Sequence, residues 1–186
     1  MNITLDGFMS GPNCELDWHF QSWTKDMADS FYEQLRNADT ILLGRVTYGA
    51  MAKYWPYKVT DLSFPREDLA FAGLMNDYTK LVFTKTLTSP GWSNSKLVNG
   101  NLEDEIVKLK RRPGKDMIIY GSGKVVATLI QSGLVDEYQL WVHPVLLGNG
   151  KPLFPVLKDN LKMKLCKTKT FSSGVVALYY ESTNKI

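Results

Sequence analysis

The chain has 186 residues, 44% of them hydrophobic and 22% charged, so it is long enough to bury a sizeable core and is not disordered. Its formal net charge of +3, with acids and bases interspersed, is too small to indicate binding to nucleic acid or to an anionic membrane. No apolar stretch approaches the ~20 residues of a membrane span, and the N-terminus has no signal-peptide pattern. We therefore expect a single domain over residues 1–186, located in the cytoplasm.

Cysteine and histidine are scarce. Cys14 and Cys166 are far apart with no CxxC motif, which is typical of reduced cytoplasmic thiols. His19 and His143 have no metal-ligand spacing around them, so we predict no metal site.

The first third of the chain contains two strand predictions and one helix. Residues 2–5 form a strand that ends at Asp6-Gly7, and the loop that follows runs through Gly11-Pro12-Asn13 to Trp18. Residues 24–38 repeat apolar side chains at helical spacing, and residues 40–43 form a second buried strand.

A glycine turn with a basic residue follows that second strand. Gly44-Arg45-Val46-Thr47-Tyr48 begins a helix whose first turn contains a cation. Arg45 can bind a phosphate through two parallel contacts, and Thr47 can donate its hydroxyl proton. The helix dipole disfavours a cation at this position, and an anionic ligand would remove the conflict. A plain surface arginine is the alternative.

The middle of the chain continues the alternation of strands and helices. We predict a loop over residues 54–66, a short helix over 67–76, strands over 80–83 and 94–98, and a helix from residue 102 to the Arg111-Arg112 pair. The strand over 80–83 ends at Thr84-Lys85-Thr86, where two hydroxyls and a cation can meet a phosphate. A solvated lysine is the alternative.

A second glycine turn follows the strand predicted over residues 117–120. Residues 117–120 form a buried strand, Gly121-Ser122-Gly123 interrupts it, and apolar residues at helical spacing continue to residue 130. A strand, glycine turn and helix direct free backbone N–H groups towards an anion. The alternative is a turn whose glycines are purely steric.

The last third favours antiparallel strands. Residues 136–142 form a longer strand, and residues 161–171 and 175–181 form a hairpin around Ser172-Ser173-Gly174. The complete pattern predicts an α/β fold, a mostly parallel sheet covered on both faces with an antiparallel edge.

In such a sheet, ligands bind at the carboxyl ends of the strands. Asp6, Gly44, Lys85 and Gly121 all follow strands, so we expect these turns to converge. Two glycine turns with cations nearby suit a dinucleotide that carries an additional 2′-phosphate. Neither a GxGxxG fingerprint nor a GxxxxGK[ST] loop is present, which disfavours an ordinary Rossmann domain or a kinase.

Five motifs together resemble the dihydrofolate-reductase-like superfamily, and more narrowly the family of the C-terminal reductase domain of the bifunctional riboflavin-biosynthesis deaminase-reductase. They occur in this order: Leu5-Asp6-Gly7, Leu42-Leu43-Gly44-Arg45-Val46-Thr47-Tyr48, Ile119-Tyr120-Gly121-Ser122-Gly123, Leu134-Val135-Asp136-Glu137, and Pro144-Val145-Leu146-Leu147-Gly148-Asn149-Gly150 followed by Leu153-Phe154.

The resemblance implies a dihydrofolate-reductase-like three-layer α-β-α sandwich that binds NADPH and transfers a hydride to a small heterocyclic substrate. The family label is 5-amino-6-(5-phosphoribosylamino)uracil reductase, and a pteridine-type substrate is the other possibility. The implied cofactor-binding residues are Gly44, Arg45, Thr47, Thr84, Lys85, Gly121, Ser122 and Gly123. The resemblance also suggests a homodimer, for which the apolar run over residues 140–147 is the expected contact.

Two departures weaken the riboflavin assignment. Members that act in riboflavin synthesis usually have an Asp-x-Pro-x-Leu-Thr-x-Arg stretch after the first glycine turn, where this chain has Ala50-Met51-Ala52-Lys53-Tyr54-Trp55-Pro56. No deaminase domain is recognised. The chain is therefore more similar to the stand-alone bacterial reductase-like proteins of this fold.

Several side chains near the first strand and the first glycine turn are predicted to contact the substrate. Asp6, Glu15 and Asp17 are possible proton sources, because a desolvated carboxyl has a raised pKa; common turn and surface roles are the alternative. Trp18, Tyr48 and Trp55 can stack on a flat ring or pack in the interior, and Gly7 would lie beside the substrate.

Three functions remain open at this point. The leading one is an NADPH-dependent reductase. The second is a regulatory module that binds a nucleotide without turnover, and the third is an interaction protein whose glycine turns are only steric.

Overall fold

A computed structural model describes residues 1–60, 66–154, 157 and 160–183 of the chain. In chain order the elements are β1 (Asn2–Thr4), β2 (Phe8–Ser10), α1 (Asp17–Phe20), α2 (Lys25–Arg36), β3 (Ala38–Gly44), α3 (Arg45–Ala52), α4 (Trp55–Lys58), α5 (Arg66–Asp77), β4 (Thr79–Phe83), β5 (Ser95–Val98), α6 (Leu102–Lys110), β6 (Asp116–Ile119), α7 (Gly123–Gln131), β7 (Glu137–His143), β8 (Lys151–Pro152), β9 (Met163–Thr170) and β10 (Val176–Ser182).

The chain divides into two units, whose boundaries fall within α2 and α7. The terminal unit comprises residues 1–27 and 126–186, and the central unit comprises residues 28–125. We describe each unit by itself, and the single domain expected from the sequence remains a prediction.

The central unit is built on a four-stranded parallel sheet with the strand order β5-β4-β3-β6. In β3, Ile41, Leu42 and Leu43 are all buried, as expected for a parallel strand that is covered on both faces. A hydrophobic cluster packs on this sheet and consists of Leu35, Ile41, Leu43, Tyr48, Met75, Val82 and Trp92.

A buried lysine stabilises the end of α5 in this unit. The fully buried Lys80 ammonium donates hydrogen bonds to the carbonyl oxygens of Met75 (3.0 Å) and Asn76 (2.7 Å) and lies 4.5 Å from the centre of the Trp92 ring. Trp92 in turn donates its indole N–H to the Asn76 side chain at 2.7 Å. A cation at a helix C-terminus satisfies free carbonyls and complements the helix dipole. Burial nevertheless lowers the pKa of Lys80 to about 8.

The terminal unit combines parallel and antiparallel pairing. β1 and β7 pair in parallel, β10 pairs antiparallel with both β7 and β9, and β2 pairs antiparallel with β8. The β9–β10 hairpin turns at residues 172–174, where Gly174 has a φ of 84° and donates to the Phe171 carbonyl at 2.9 Å. The Phe171 ring stacks on buried Trp141, with 4.6 Å between ring centres.

The strands and helices predicted from periodicity are confirmed, whereas two predicted loops need correction. The first loop contains the α1 turn from Asp17, and the segment before it includes β2. The second contains α4, while residues 61–65 lie outside the described part of the chain. Helices α1 and α4 each have four residues, about one turn, which is too short for an apolar helical period to reveal them.

Part of the apolar run over residues 140–147, the expected dimer contact, is interior, and the homodimer itself remains a prediction. Leu140, Trp141 and His143 are buried within the terminal unit, whereas Leu146 is exposed.

Within the ranges given above, no helix is both long enough and apolar enough to cross a membrane.

Candidate functional site

The ends of three neighbouring parallel strands bring the predicted cofactor-binding turns to one edge of the central sheet. β3 lies between β4 and β6, and it pairs Gly44 with Phe83 and Leu42 with Ile119. The turns at Gly44-Arg45, Thr84-Lys85 and Gly121-Ser122 therefore leave the same edge of the sheet, as the sequence predicts. Their roles in binding remain predictions.

The two glycine turns are in direct contact. The backbone N–H of Gly44 donates to the Ser122 hydroxyl oxygen at 2.5 Å. Ser122 has a φ of 69°, which is unusual for a residue with a side chain, and the preceding Gly121 has a φ of 97°. A Cβ atom at Gly44 would lie 3.1 Å from the Ser122 hydroxyl, and one at Gly121 would lie 3.2 Å from the Thr47 methyl group. Packing between the turns is thus sufficient to account for both glycines, so evidence for an anion must come from charge.

Three cations lie at this edge. Arg45 occupies the first turn of α3, Lys124 occupies the first turn of α7, and Lys85 follows β4; all three side chains are exposed. No carboxylate among the described residues forms an ion pair with any of them.

Helix α6 of the same unit has the opposite arrangement. Its first turn contains Glu103, Asp104 and Glu105, and the Asn101 side chain caps it by accepting the Asp104 N–H at 2.9 Å. By contrast, α3 has no side-chain cap and no acid in its first turn, and α7 has no acid there either. The uncapped start of α3 and the cations in the first turns of α3 and α7 favour a bound anion at this edge.

Thr84 has a structural role that the sequence does not reveal. Its buried hydroxyl oxygen accepts the N–H groups of Thr86 (3.2 Å) and Leu87 (3.1 Å), which shapes the turn after β4. The hydroxyl proton is still available for donation, because both of these bonds use the oxygen as an acceptor. The turn leaves the Lys85 side chain exposed.

Tyr48 lies in the interior, which corrects the prediction that it stacks on a substrate, whereas Trp55 is half-buried and its contact with a substrate remains a prediction. Tyr48 is buried in the hydrophobic cluster, and its hydroxyl oxygen accepts the backbone N–H of Trp92 at 2.9 Å. Trp55 packs against the same cluster and meets the Phe71 ring, with 5.2 Å between ring centres. Packing in the interior was the alternative that the sequence left open.

In the terminal unit, Asp6 is a hydrogen-bond acceptor that fixes a loop. Its carboxylate accepts the Thr4 hydroxyl at 2.5 Å and the N–H groups of Gly148 (2.7 Å) and Leu147 (3.1 Å). The Thr4 hydroxyl and these amides lower the pKa of Asp6 below its ordinary value. A carboxyl held in its ionised form is a poor proton donor, so the expected raised pKa is wrong. The adjacent Gly7 has a φ of 83° and closes the turn through a bond from its N–H to the Thr4 carbonyl.

The other two acidic candidates do not form a desolvated acid site either. Both side chains are exposed. Glu15 accepts the backbone N–H of Asn13 at 2.8 Å and its side-chain amide at 2.9 Å. Its own backbone N–H and the Asn13 side chain lower the pKa of Glu15. Asp17 is the first residue of α1.

Trp18 belongs to a cluster of aromatic rings around the buried His143, in which Trp18 and His19 are half-buried. Periodicity could not predict this cluster. Its ring meets the His143 ring edge to face, with 5.2 Å between centres, and His19 lies beside both. The fully buried His143 uses Nε2 to contact the Asn2 side-chain oxygen at 3.1 Å. Trp18 Nε1 and His143 Nδ1 have no hydrogen-bond partner in the described ranges. Burial, with the neighbouring His19 and the N-terminal amine, lowers the pKa of His143 to about 4.

Lys124 was not predicted as a site residue from the sequence, although the helix-dipole argument used for Arg45 applies equally to a lysine directly after Gly123. Over the described ranges, no group of three or more histidine, cysteine or acidic side chains is placed to hold a metal ion.

Both a protein family and an individual relative match nearly the whole amino-acid sequence. The sequence model of the RibD C-terminal domain matches residues 1–177. The chain is 40% identical over 178 residues to the uncharacterised protein YyaP of Bacillus subtilis. The aligned region covers 96% of this chain and 90% of that protein.

Solved structures share the fold at lower sequence identity. A protein from Shewanella sp. PV-4, provisionally named a riboflavin biosynthesis protein, superposes with a TM-score of 0.78 at 23% identity, covering 99% of this chain and 97% of that one. Dihydrofolate reductase from Enterococcus faecalis, solved with NADP(H), superposes with a TM-score of 0.61 at 14% identity, covering 98% and 94% of the two chains. The predicted dihydrofolate-reductase-like α/β fold is confirmed.

Proposed function

Because the chain belongs to the family of the RibD C-terminal domain, we propose that it is an NADPH-dependent reductase that transfers a hydride to a small heterocyclic substrate. One observation supports this most directly: Arg45, Lys85 and Lys124 are exposed cations at adjacent strand ends of one parallel sheet, and none of them has a carboxylate partner among the described residues. A phosphorylated dinucleotide has several negative charges that would meet them. The dihydrofolate reductase of the same fold is itself solved with NADP(H).

Each residue of this edge has a defined task in the proposal. Arg45 and the free N–H groups at the start of α3, together with Lys124 and the turn at Gly121-Ser122-Gly123, would hold the pyrophosphate. Lys85 and the Thr84 hydroxyl proton would hold the 2′-phosphate. When bound, NADPH supplies the hydride, and the protein contributes mainly by positioning and by excluding water.

The test compares the two nicotinamide cofactors. We expect NADPH to raise the melting temperature more than NADH does, and Arg45→Ala combined with Lys85→Ala to abolish that difference. Each lost contact to a charged phosphate is worth ~1.5–3 kcal/mol, or roughly tenfold or more in Kd. Lys96→Ala, which removes an exposed cation within β5, is the matched control and should bind NADPH like the wild type. Absence of any shift at millimolar NADPH would rule out the proposal.

One observation favours a second function, nucleotide binding without turnover. Asp6 and Glu15 both have lowered pKa values, so neither suits the role of proton donor. Oxidation of NADPH in the presence of pteridines, pyrimidines or quinones separates the two functions. Reproducible turnover excludes the passive module, whereas tight binding without turnover on any substrate supports it.

A further inference from the structure

The thiol of Cys14 and the side-chain amine of Lys151 meet within the terminal unit. Lys151 Nζ lies 2.6 Å from Cys14 Sγ, although the residues are 137 positions apart. The backbone enforces this proximity. Lys151 lies in β8 opposite Ser10 of β2, and Cys14 closes the turn after β2 by donating its N–H to the Gly11 carbonyl at 3.1 Å.

At this separation the amine and the thiol are in direct contact. Cys14 is exposed, so dissolved reagents can reach its sulfur. Glu15 is the other charged neighbour: its carboxylate interacts electrostatically with Lys151, which helps to keep the amine beside the turn.

The second cysteine provides an internal comparison. Cys166 is also exposed, but it lies on β9, and its Sγ atom contacts the Lys164 carbonyl oxygen at 3.5 Å. No amine is within hydrogen-bond distance of Cys166 Sγ in the described part of the chain. The pairing of a thiol with an amine is thus specific to Cys14.

We propose that Cys14 and Lys151 form a reversible covalent cross-link when the protein meets a peroxide. In the first step the Cys14 thiolate attacks the peroxide, an S–O bond forms, and the O–O bond breaks. Sulfur is oxidised by two electrons to a sulfenic acid, and the peroxide is reduced to water after it takes up a proton.

The second step needs no additional oxidant. Once the thiolate is consumed, Lys151 loses its proton to solvent, and the amine lone pair attacks sulfur. The S–N bond forms as the S–O bond breaks, and the hydroxyl leaves with an amine proton as water. The product is a sulfenamide between Cys14 and Lys151. A small thiol reverses it by attacking sulfur, which returns the amine and gives a mixed disulfide that a second thiol reduces.

The cross-link would fix the turn at Gly11–Cys14 to β8. Because it closes a long loop, it should stabilise the folded chain in the same way as a disulfide does. The proposal does not depend on nucleotide binding, since all of its residues belong to the terminal unit.

The experiment treats the full chain with hydrogen peroxide, blocks the remaining thiols, digests the protein and identifies linked peptides by tandem mass spectrometry. We expect one linked pair that contains Cys14 and Lys151, lighter than the sum of its parts by two hydrogens and absent after dithiothreitol. The melting temperature should rise with peroxide and fall again with the reductant.

Three variants make the test specific. Cys14→Ser and Lys151→Arg, which retains the positive charge, should lose both the linked pair and the rise in melting temperature. Cys166→Ser should retain both. The proposal would be overturned if peroxide converted Cys14 of the wild type to a sulfinic acid or to an intermolecular disulfide without forming the linked pair. An unchanged yield of cross-linked Cys14 peptide in Lys151→Arg would also overturn it.

Discussion

The hydroxyl oxygen of Ser122 accepts the backbone N–H of Gly44 at 2.5 Å, and this single bond joins the ends of two neighbouring parallel strands. Ser122 makes the bond from a left-handed backbone conformation, with a φ of 69°. Such a conformation costs a residue with a side chain ~1–2 kcal/mol, whereas glycine adopts it freely. The bond and the strain therefore have opposite effects on stability, and substitutions can separate them.

Replacing Ser122 by alanine and by glycine should give different stabilities. Ser122→Ala loses the bond and retains the strain, so we expect a loss of ~1 kcal/mol in the free energy of unfolding. Ser122→Gly loses the bond but also the strain, so the urea concentration at its unfolding midpoint should be close to that of the wild type. Both variants should bind NADPH more weakly if the bond positions the turns. Wild-type affinity in both, measured by calorimetry, would show that the bond is only structural.

The buried Lys80 should be important for stability. Lys80→Met removes both hydrogen bonds to the end of α5. The Asn76 carbonyl keeps the Asn94 side-chain amide at 3.0 Å, whereas the Met75 carbonyl loses this donor. Leaving a buried acceptor unsatisfied costs ~1–3 kcal/mol, so we expect a loss of about 1–3 kcal/mol in the free energy of unfolding measured in urea. The control Lys96→Met should change stability by less than ~0.5 kcal/mol, because that lysine is exposed. Equal effects of the two substitutions would contradict this role.

The success of the sequence-based predictions depended on the length of each pattern. Long apolar runs such as β3 and periodic helices such as α2 were found, and neighbouring parallel strands then placed Gly44, Lys85 and Gly121 at one edge. The two-residue β8 gives no such pattern.

Side-chain partners were beyond sequence reasoning for a different reason. The state of Asp6 depends on amides 141 and 142 residues away, and the environment of His143 depends on Asn2 and Trp18. Only the folded chain brings such groups together, so residue type alone suggested an acid where the structure has an anchored carboxylate.

Asp6 should stabilise the loop after β7 rather than donate a proton. Asp6→Asn removes the negative charge and leaves one acceptor oxygen for the Thr4 hydroxyl and the Leu147 and Gly148 amides, so the bonds to these amides lose their charge assistance. We expect faster hydrogen exchange at these two amides and a lower melting temperature. Because the pKa of Asp6 is lowered in the folded chain, its stabilising effect should be present at neutral pH and lost as the pH falls below the ordinary value near ~4.

Asp17→Asn is the matched control for this measurement. Asp17 is an exposed acid of the same unit, so its replacement should leave exchange at Leu147 and Gly148 unchanged. If Asp6→Asn abolished turnover at wild-type stability and exchange, Asp6 would instead act in the chemistry.

His143 should make the protein sensitive to mild acid. Its folded pKa of about 4 lies below the ~6.5 of an unfolded histidine, so at intermediate pH the unfolded chain binds a proton that the folded chain does not. Stability should therefore fall as the pH decreases from about 6.5 towards 4. The difference between pH 7.5 and 4.5 corresponds to about 2–3 kcal/mol for this one group.

Urea unfolding of the wild type and of His143→Gln at these two pH values isolates the effect. A glutamine amide can still donate to the Asn2 oxygen but does not titrate, so the variant should lose less stability in acid than the wild type. Titration of the carboxyl groups is common to both proteins and cancels in the comparison. His19, which also faces His143 and has a pKa lowered by burial, should contribute in the same direction, and His19→Gln should reduce the acid sensitivity further. Parallel losses in the wild type and in His143→Gln would mean that protonation of His143 does not oppose folding.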